Sequence, residues 1–231
     1  MSESIVAIVP VKALEAAKSR LAPRLTLEAR AGLVLDLLAH TVATVRESGV
    51  FRHCIVVSAD PSVHDRATTA GAIISDEGGS VQIGQHNAAL EFARRDIQRF
   101  HPEGLLVLSA DLPLLAATDL RAMVELGADG NTVVLAPDRA GTGTNAMFLR
   151  PANAIPFLFG VGSYQRHRRA AEQCGLAVRR YVSPGTAFDV DCPEDLDDPQ
   201  FRTLDRLRQL DSNMPRTPAP SDQLSSTLDR G

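Results

Sequence analysis

The sequence predicts an α/β protein, three-layered α/β/α, built on a mostly parallel sheet. Three observations carry that prediction. Residues 105–108 are an apolar run, Leu-Leu-Val-Leu, held between Gly104 and the small pair Ser109-Ala110, as in a strand buried on both faces. Residues 5–11 (IVAIVPV) and 53–58 (HCIVVS) are runs of the same kind. Between such runs lie segments with apolar residues every three or four positions. Strand and helix therefore alternate from the start, the pattern of parallel strands joined by right-handed crossovers.

The elements follow in order. Strand 5–11 is β-branched and runs into a polar segment, 12–21 (KALEAAKSRL), closed by Pro23. Thr26 is a good N-cap, and Leu27, Ala31, Val34, Leu38, Val42 and Val45 then recur on one helical face until Gly49. His40 lies beside that stripe and reads as a core or boundary residue. Strand 53–58 closes on Ala59-Asp60-Pro61, which opens a short helix reaching Ala70, and residues 72–75 predict a short third strand. An acidic, glycine-bearing loop (76–80) leads to a helix over 81–100 whose first turns carry Gln82, Gln85, His86 and Asn87. The buried strand 104–109 ends near Asp111, where Pro113 keeps the chain from continuing in the sheet.

A helix over 119–126 and strands over 132–136 and 146–149 come next, the two strands separated by PDRAGTGTN (137–145). Residues 157–169 (FLFGVGSYQRHRR) set two glycines before Ser163, which reads as a helix N-cap, with His167 a surface or supporting residue. A strand over 177–182, the acidic stretch 188–196 and a helix over 194–210 complete one domain, residues 1–211. Residues 212–231 are rich in Pro, Ser and Thr and predict a disordered tail.

Composition bounds the function. A chain of 231 residues that is 44% hydrophobic can bury one sizeable core. A formal net charge of −4 argues against a non-specific nucleic-acid binder. No apolar run approaches the roughly 18–20 residues that cross a membrane, and residues 1–12 lack the charged-then-apolar order of a signal peptide. Cys54, Cys174 and Cys192 are far apart and without metal-site spacing, as in a reduced compartment. A cytoplasmic protein is expected, with no nucleic-acid or membrane partner; a homodimer is compatible with these features.

Open α/β sheets bind ligands beyond the carboxyl ends of their strands, which is where Asp111 falls. A lone Asp there also suits a helix cap. Lys12, Lys18, Ser19 and Arg20 follow strand 5–11, and polyanions such as triphosphates need such cations, although a solvated connector would read alike. No GxxxxGK[ST] occurs. The Gly-Thr-Gly-Thr loop and the glycines before Ser163 offer small residues, N–H groups and hydroxyls for a phosphate or carboxylate, or a plain hairpin and helix start. Asp189 and Asp191 alternate in an extended segment, so their side chains share one side, where two carboxylates grip a hard cation such as Mg²⁺. Asp191 could instead cap the following helix, whereas Asp189 lies too early for it. Together these features fit phosphoryl or nucleotidyl transfer, in which a metal and cations offset phosphate charge.

Five segments carry a resemblance: VPVKALEAAKSRL (9–21), SADLPLL (109–115), DRAGTGTNAM (138–147), FGVGSYQRH (159–167) and FDVDCPEDL (188–196). In this order they resemble the CofC family, the 2-phospho-L-lactate and phosphoenolpyruvate guanylyltransferases of coenzyme F420 biosynthesis, over about residues 5–210. The resemblance implies a nucleotide-diphospho-sugar-transferase-like fold that joins GTP to a three-carbon phospho-acid and releases pyrophosphate. It implies Mg²⁺ on Asp111, Asp189 and Asp191. Thr144, Gly160 and Ser163 would bind the acid's phosphate and carboxylate, Lys12, Lys18 and Arg20 would face the GTP phosphates, and Asn87 would touch the nucleoside. Catalysis would then rest on Asp111, Lys18 and Arg20. Two rivals stand beside it: another nucleotidyltransferase or a DxD glycosyltransferase of the same fold, and a non-catalytic nucleotide-binding module.

Overall fold

A computed structural model describes residues 4–76 and 86–202. The loop and first helical turn expected at 77–85, including Gln82 and Gln85, lie outside the described residues, as do the end of the last helix and the tail 212–231. The described strands are β1 (Ile5–Pro10), β2 (His53–Ser58), β3 (Ile73–Asp76), β4 (Gly104–Leu108), β5 (Thr132–Pro137), β6 (Thr144–Arg150) and β7 (Ala177–Arg180). They form one sheet in the order β3-β2-β1-β4-β6-β5-β7. Neighbours are parallel except at β6, which runs antiparallel to both β4 and β5.

Alternation along each strand builds the two cores. Ile5, Ala7 and Val9 of β1 point to one face with Leu106 and Leu108 of β4; Val6 and Ile8 point to the other with Leu105 and Val107. The first face is covered by α1 (Leu27–Ser48), α2 (Pro61–Ala70) and α4 (Ala117–Leu126). The second is covered by α3 (His86–Asp96) and α5 (Ser163–Gln173), which makes the expected three layers. Thr26 caps α1 by accepting from the Ala29 N–H at 3.2 Å, and Gly49 ends it at φ 70°, a left-handed turn that glycine enters without steric cost. Val34, Leu38, Val42 and Val45 are buried as the helical spacing requires, but Leu27 is exposed because the first turn of α1 overhangs the core. No described helix is long and apolar enough to cross a membrane.

A third, smaller cluster sets up the functional rim. Leu21 packs with Phe188, Val190 and Phe201, clamping the basic segment after β1 against the acidic segment after β7. Burial of each such side chain contributes roughly 1.5–3 kcal/mol. Phe188 and Val190 turn inward, so Asp189 and Asp191 are left on the opposite side of the extended backbone.

The hairpin alternative for residues 137–145 holds: only a short loop separates β5 from β6, and Pro137 pairs with Thr144 across it, so β6 is the antiparallel member of a mostly parallel sheet. Two expectations change. The strand expected to reach residue 182 ends at Arg180. The helix expected from 194 begins as a 3₁₀ turn, Pro193–Asp197, and breaks at Asp198 (φ −59°, ψ 128°). Pro199 disfavours the helical region for the residue before it, and Asp198 then accepts from the Gln200 N–H at 2.9 Å to restart the helix.

Candidate active site

The carboxyl ends of β1 and β4 lie at one rim of the sheet. Because β6 is antiparallel, its first residues, Thr144 and Asn145, stand at that same rim. An open cleft of about 870 Å³ lies there, lined among others by Lys12, Lys18, Asp111, Thr144, Ser163 and Asp191. A cavity of this size is in the range that holds a nucleotide and a small co-substrate.

The three aspartates expected to act together do converge. The Val190 N–H donates to the Asp111 carbonyl at 3.1 Å, so residues 189 and 191 flank Asp111. The Ser109 hydroxyl donates to one Asp111 carboxylate oxygen at 2.7 Å, and the Lys18 ammonium donates to the other. Lys18 Nζ is also 3.6 Å from Asp191, and Arg20 reaches the second Asp191 oxygen at 2.6 Å. Asp191 is not the helix cap: Cys192 holds that position, and Asp195 reaches back to accept from the Asp191 and Cys192 N–H groups at 2.8 Å each. Those two backbone donors and the Cys192 thiol hold Asp195 below the usual carboxylate range against the opposing pull of burial.

The electrostatics show unmet negative charge. Burial, and then Asp111, push Asp189 above the usual carboxylate range despite a hydrogen bond from Asn145. Burial alone would lower the Lys18 ammonium, but Asp111, Asp191 and Asp189 outweigh it and the net shift is upward. Among the described residues no three His, Cys, Asp or Glu side chains form a closed metal site, and the Lys18 ammonium lies against two of the candidate ligands instead. The donors still fit a hard divalent cation: they are all carboxylate oxygens, and they outnumber the one buried cation among them. Lys18 itself is held at φ 50°, uncommon outside glycine and worth about 1 kcal/mol of strain.

The segment between Lys12 and Leu21 is two short 3₁₀ turns, not a loose connector. Asp60, which caps α2 through Ser62, also accepts from the Leu14 N–H at 2.9 Å and so fixes where the segment starts. Lys12 and Arg20 are exposed at the cleft, whereas the Lys18 side chain is only 9% exposed.

The opposite wall carries Thr144, Gly160 and Ser163. Asp138 accepts from the Thr142 and Gly143 N–H groups at 2.9 Å each, so these two amides of the Gly-Thr-Gly-Thr loop are already occupied. A Cβ on Gly143 would overlap that carboxylate. Ser163 does not cap α5. Gly162, at φ 69°, takes that position, and the Ser163 hydroxyl donates to Thr144 Oγ1 at 3.1 Å. The first N–H groups of α5 also have partners, Ser163 N bonding Gly160 and Tyr164 N bonding Thr142. The Thr144 hydroxyl is the side-chain donor this wall offers an anion, beside the backbone around Gly160, which also lines the cleft. Asn87 lines the cleft and bonds the Phe159 backbone, accepting from the N–H at 2.8 Å and donating to the carbonyl at 3.2 Å, which uses one of the two N–H groups of its amide. It fixes the 157–160 loop that carries Gly160.

A guanylyl transferase CofC-like family model matches residues 5–202. The chain belongs to that family. The CofC-like chain is 44% identical over 194 residues to a phosphoenolpyruvate guanylyltransferase of Rubrobacter xylanophilus, covering 84% of this chain and 92% of that protein. Its fold is similar to a Desulfovibrio desulfuricans protein assigned to the nucleotide-diphospho-sugar transferases (TM-score 0.70, 15% identity, 91% and 96% of the two chains). It is also similar to glucosyl-3-phosphoglycerate synthase of Mycobacterium tuberculosis in complex with Mg²⁺ and uridine diphosphate (TM-score 0.60, 13% identity, 92% and 80%).

Three residues support this CofC-like site through bonds that the sequence did not disclose. Buried Asn145 donates to the Thr186 carbonyl at 3.0 Å and to Asp189 at 3.3 Å, holding the acidic segment to β6. Asp195 orders the backbone of Asp191. His167, expected as a surface or supporting residue, is fully buried beneath Thr144 and is the second of these. All three lie inside segments that carried the family resemblance, yet Asn and Asp there also suit turns and caps, and His suits a solvated helix.

Proposed function

We propose that this protein transfers the guanylyl group of GTP to phosphoenolpyruvate, or to the closely related 2-phospho-L-lactate or 3-phospho-D-glycerate, releasing pyrophosphate, and that it serves coenzyme F420 biosynthesis in the cytoplasm. The observation that carries this reading is the single rim on which Asp111, Asp189 and Asp191 meet Lys18 and Arg20, opposite the Thr144–Ser163 wall. The family membership and the name of the Rubrobacter relative support it.

The chemistry needs no general base. A phosphate monoester is largely dianionic near neutral pH, its second pKa being about 6. One of its oxygens attacks the α-phosphorus of GTP; the bond from that phosphorus to the oxygen bridging to the β-phosphate breaks, and pyrophosphate leaves with the electron pair. The obstacle is repulsion between anions. Lys12 and Arg20 stand exposed where triphosphate oxygens would lie, and Lys18 is close enough to change partners from Asp111 to a phosphate. Asp111, Asp189 and Asp191 would hold Mg²⁺, which when bound supplies positive charge against the α-phosphate and the departing pyrophosphate. Thr144 orients the acceptor by donating from its hydroxyl, and Ser163, whose proton goes to Thr144, holds that hydroxyl in place.

The test is pyrophosphate release by the purified protein from GTP, CTP or UTP against the three phospho-acids and sugar phosphates, with Mg²⁺ present. GTP with a three-carbon phospho-acid should be the productive pair. Asp111→Asn and Asp191→Asn should each abolish turnover with the circular-dichroism spectrum unchanged. Near-normal release by the double variant would overturn the metal assignment, and preference for a sugar phosphate would overturn the acceptor.

A further inference from the structure

His167 has zero solvent exposure, on the inward side of α5, and both ring nitrogens are engaged. The Leu158 N–H lies 2.9 Å from Nε2, and Thr144 Oγ1 lies 3.2 Å from Nδ1. A backbone N–H only donates, so Nε2 must present its lone pair. The single proton of a neutral imidazole then sits on Nδ1, and Nδ1–H donates to Thr144 Oγ1. Ser163 donates to that same oxygen at 3.1 Å. A hydroxyl oxygen accepts at most two hydrogen bonds, so both acceptor directions of Thr144 are taken. Its own proton is left to point away from His167 and Ser163, toward the cleft that Thr144 lines.

We propose that His167 is a positioning residue for the anionic acceptor: by donating from Nδ1 it commits the Thr144 hydroxyl to donate into the cleft. Left alone, a threonine hydroxyl rotates among several orientations, and that freedom is lost when its proton must turn to an incoming anion. With His167 and Ser163 in place it presents the proton to a phosphate or carboxylate oxygen, with no reorganisation when the acid binds. The neutral ring is maintained by burial and by Arg166, which together lower His167 to about 4. The packing around it is aromatic, with the Phe159 ring edge-on at 4.8 Å. The 157–160 loop is meanwhile held by Asn87, Arg166 and the Leu158 bond to His167, so one histidine ties the loop carrying Gly160 to the hydroxyl that faces it. This inference rests on the reading of Thr144 as an acceptor-binding residue.

Two substitutions separate the two ring nitrogens. In His167→Gln the side-chain carbonyl reaches the Nε2 position and can accept from Leu158, but Thr144 loses one of its two donors and keeps only Ser163, so its proton is no longer committed to the cleft. In His167→Asn the amide NH₂ occupies the Nδ1 position and donates to Thr144, while Leu158 loses its partner. Steady-state kinetics and thermal melting on both variants give the test. His167→Gln should melt near the wild-type temperature, keep its KM for GTP, and raise the KM for the phospho-acid about tenfold, equivalent to one redirected hydrogen bond. His167→Asn should melt lower yet return the acceptor KM toward wild type. A purely structural role predicts the reverse ranking, with Gln the milder change on every measure. An unchanged acceptor KM in His167→Gln, or equal shifts in both KM values, overturns the proposal, and Gln decides alone if Asn does not fold. Thr144→Val is the control for the underlying reading: if it leaves the acceptor KM unmoved, that wall does not bind the acid and the assignment itself fails. If it raises that KM and His167→Gln does not, only the role of His167 falls.

Discussion

Replacing Lys18 by Met tests how the carboxylate cluster is held together. Met keeps the length of the side chain and removes its charge. The Lys18 side chain is 9% exposed and its ammonium is bonded to Asp111, whose side chain is 25% exposed, with the 42% exposed Asp191 at 3.6 Å. A charge-assisted hydrogen bond of this kind contributes about 1.5–3 kcal/mol, and the partly open carboxylates recover some hydration when it is lost, so a net cost of about 2 kcal/mol is expected. For a domain of this size that lowers Tm by about 4–8 °C. The diagnostic is the response to Mg²⁺ in thermal melts without nucleotide. In the wild type a divalent ion must displace the ammonium from Asp111, whereas in Lys18→Met it meets three carboxylates with no buried counter-charge. Mg²⁺ should therefore raise Tm more in the variant than in the wild type. A variant that melts like the wild type and shows the same Mg²⁺ shift would refute the idea that Lys18 offsets this cluster.

Two further outcomes are expected. Asn145→Ala removes buried hydrogen bonds to Thr186 and Asp189 and should cost about 2 kcal/mol in urea unfolding; at a temperature where the variant stays folded its turnover should still fall sharply, and wild-type turnover there would show that Asp189 needs no such support. His167 is lowered to about 4 in the folded state against 6.5, so the unfolded chain takes up the proton first as pH falls. Stability from this group is full above about pH 6.5 and declines down to about pH 4, by up to roughly 3 kcal/mol. The difference in unfolding free energy between wild type and His167→Gln across that window isolates the effect from the carboxylates, and a difference that stays constant with pH would contradict it.

Local chemistry made much of the site legible in the sequence. Asp111 is marked by the end of a buried strand, and Asp189 and Asp191 by their alternation with Phe188 and Val190. Lys18 and Arg20 follow β1 too closely to be far from its carboxyl end. What the sequence did not reveal are the residues that hold these in place. Asn145, Asp195 and His167 act through bonds to segments 44, 4 and 9 or 23 positions away, and the longer of these separations are set only when β6 turns antiparallel and α5 packs beneath it. Asn87 shows the same limit: its place at the mouth of the sheet was legible, its two bonds to the Phe159 backbone were not.

The sequence by itself determined the layers, the strands that are apolar on both faces and the acidic and basic groups at their ends, because those follow from the period of hydrophobic residues and from what Pro, Gly and Asp permit locally. The tertiary structure alone decided which nitrogen of His167 bears a proton, which amides are already bonded and that a lysine lies among the aspartates. Hydrogen-bond partners and buried charge pairs depend on distances between segments remote in the chain, and no local pattern encodes them.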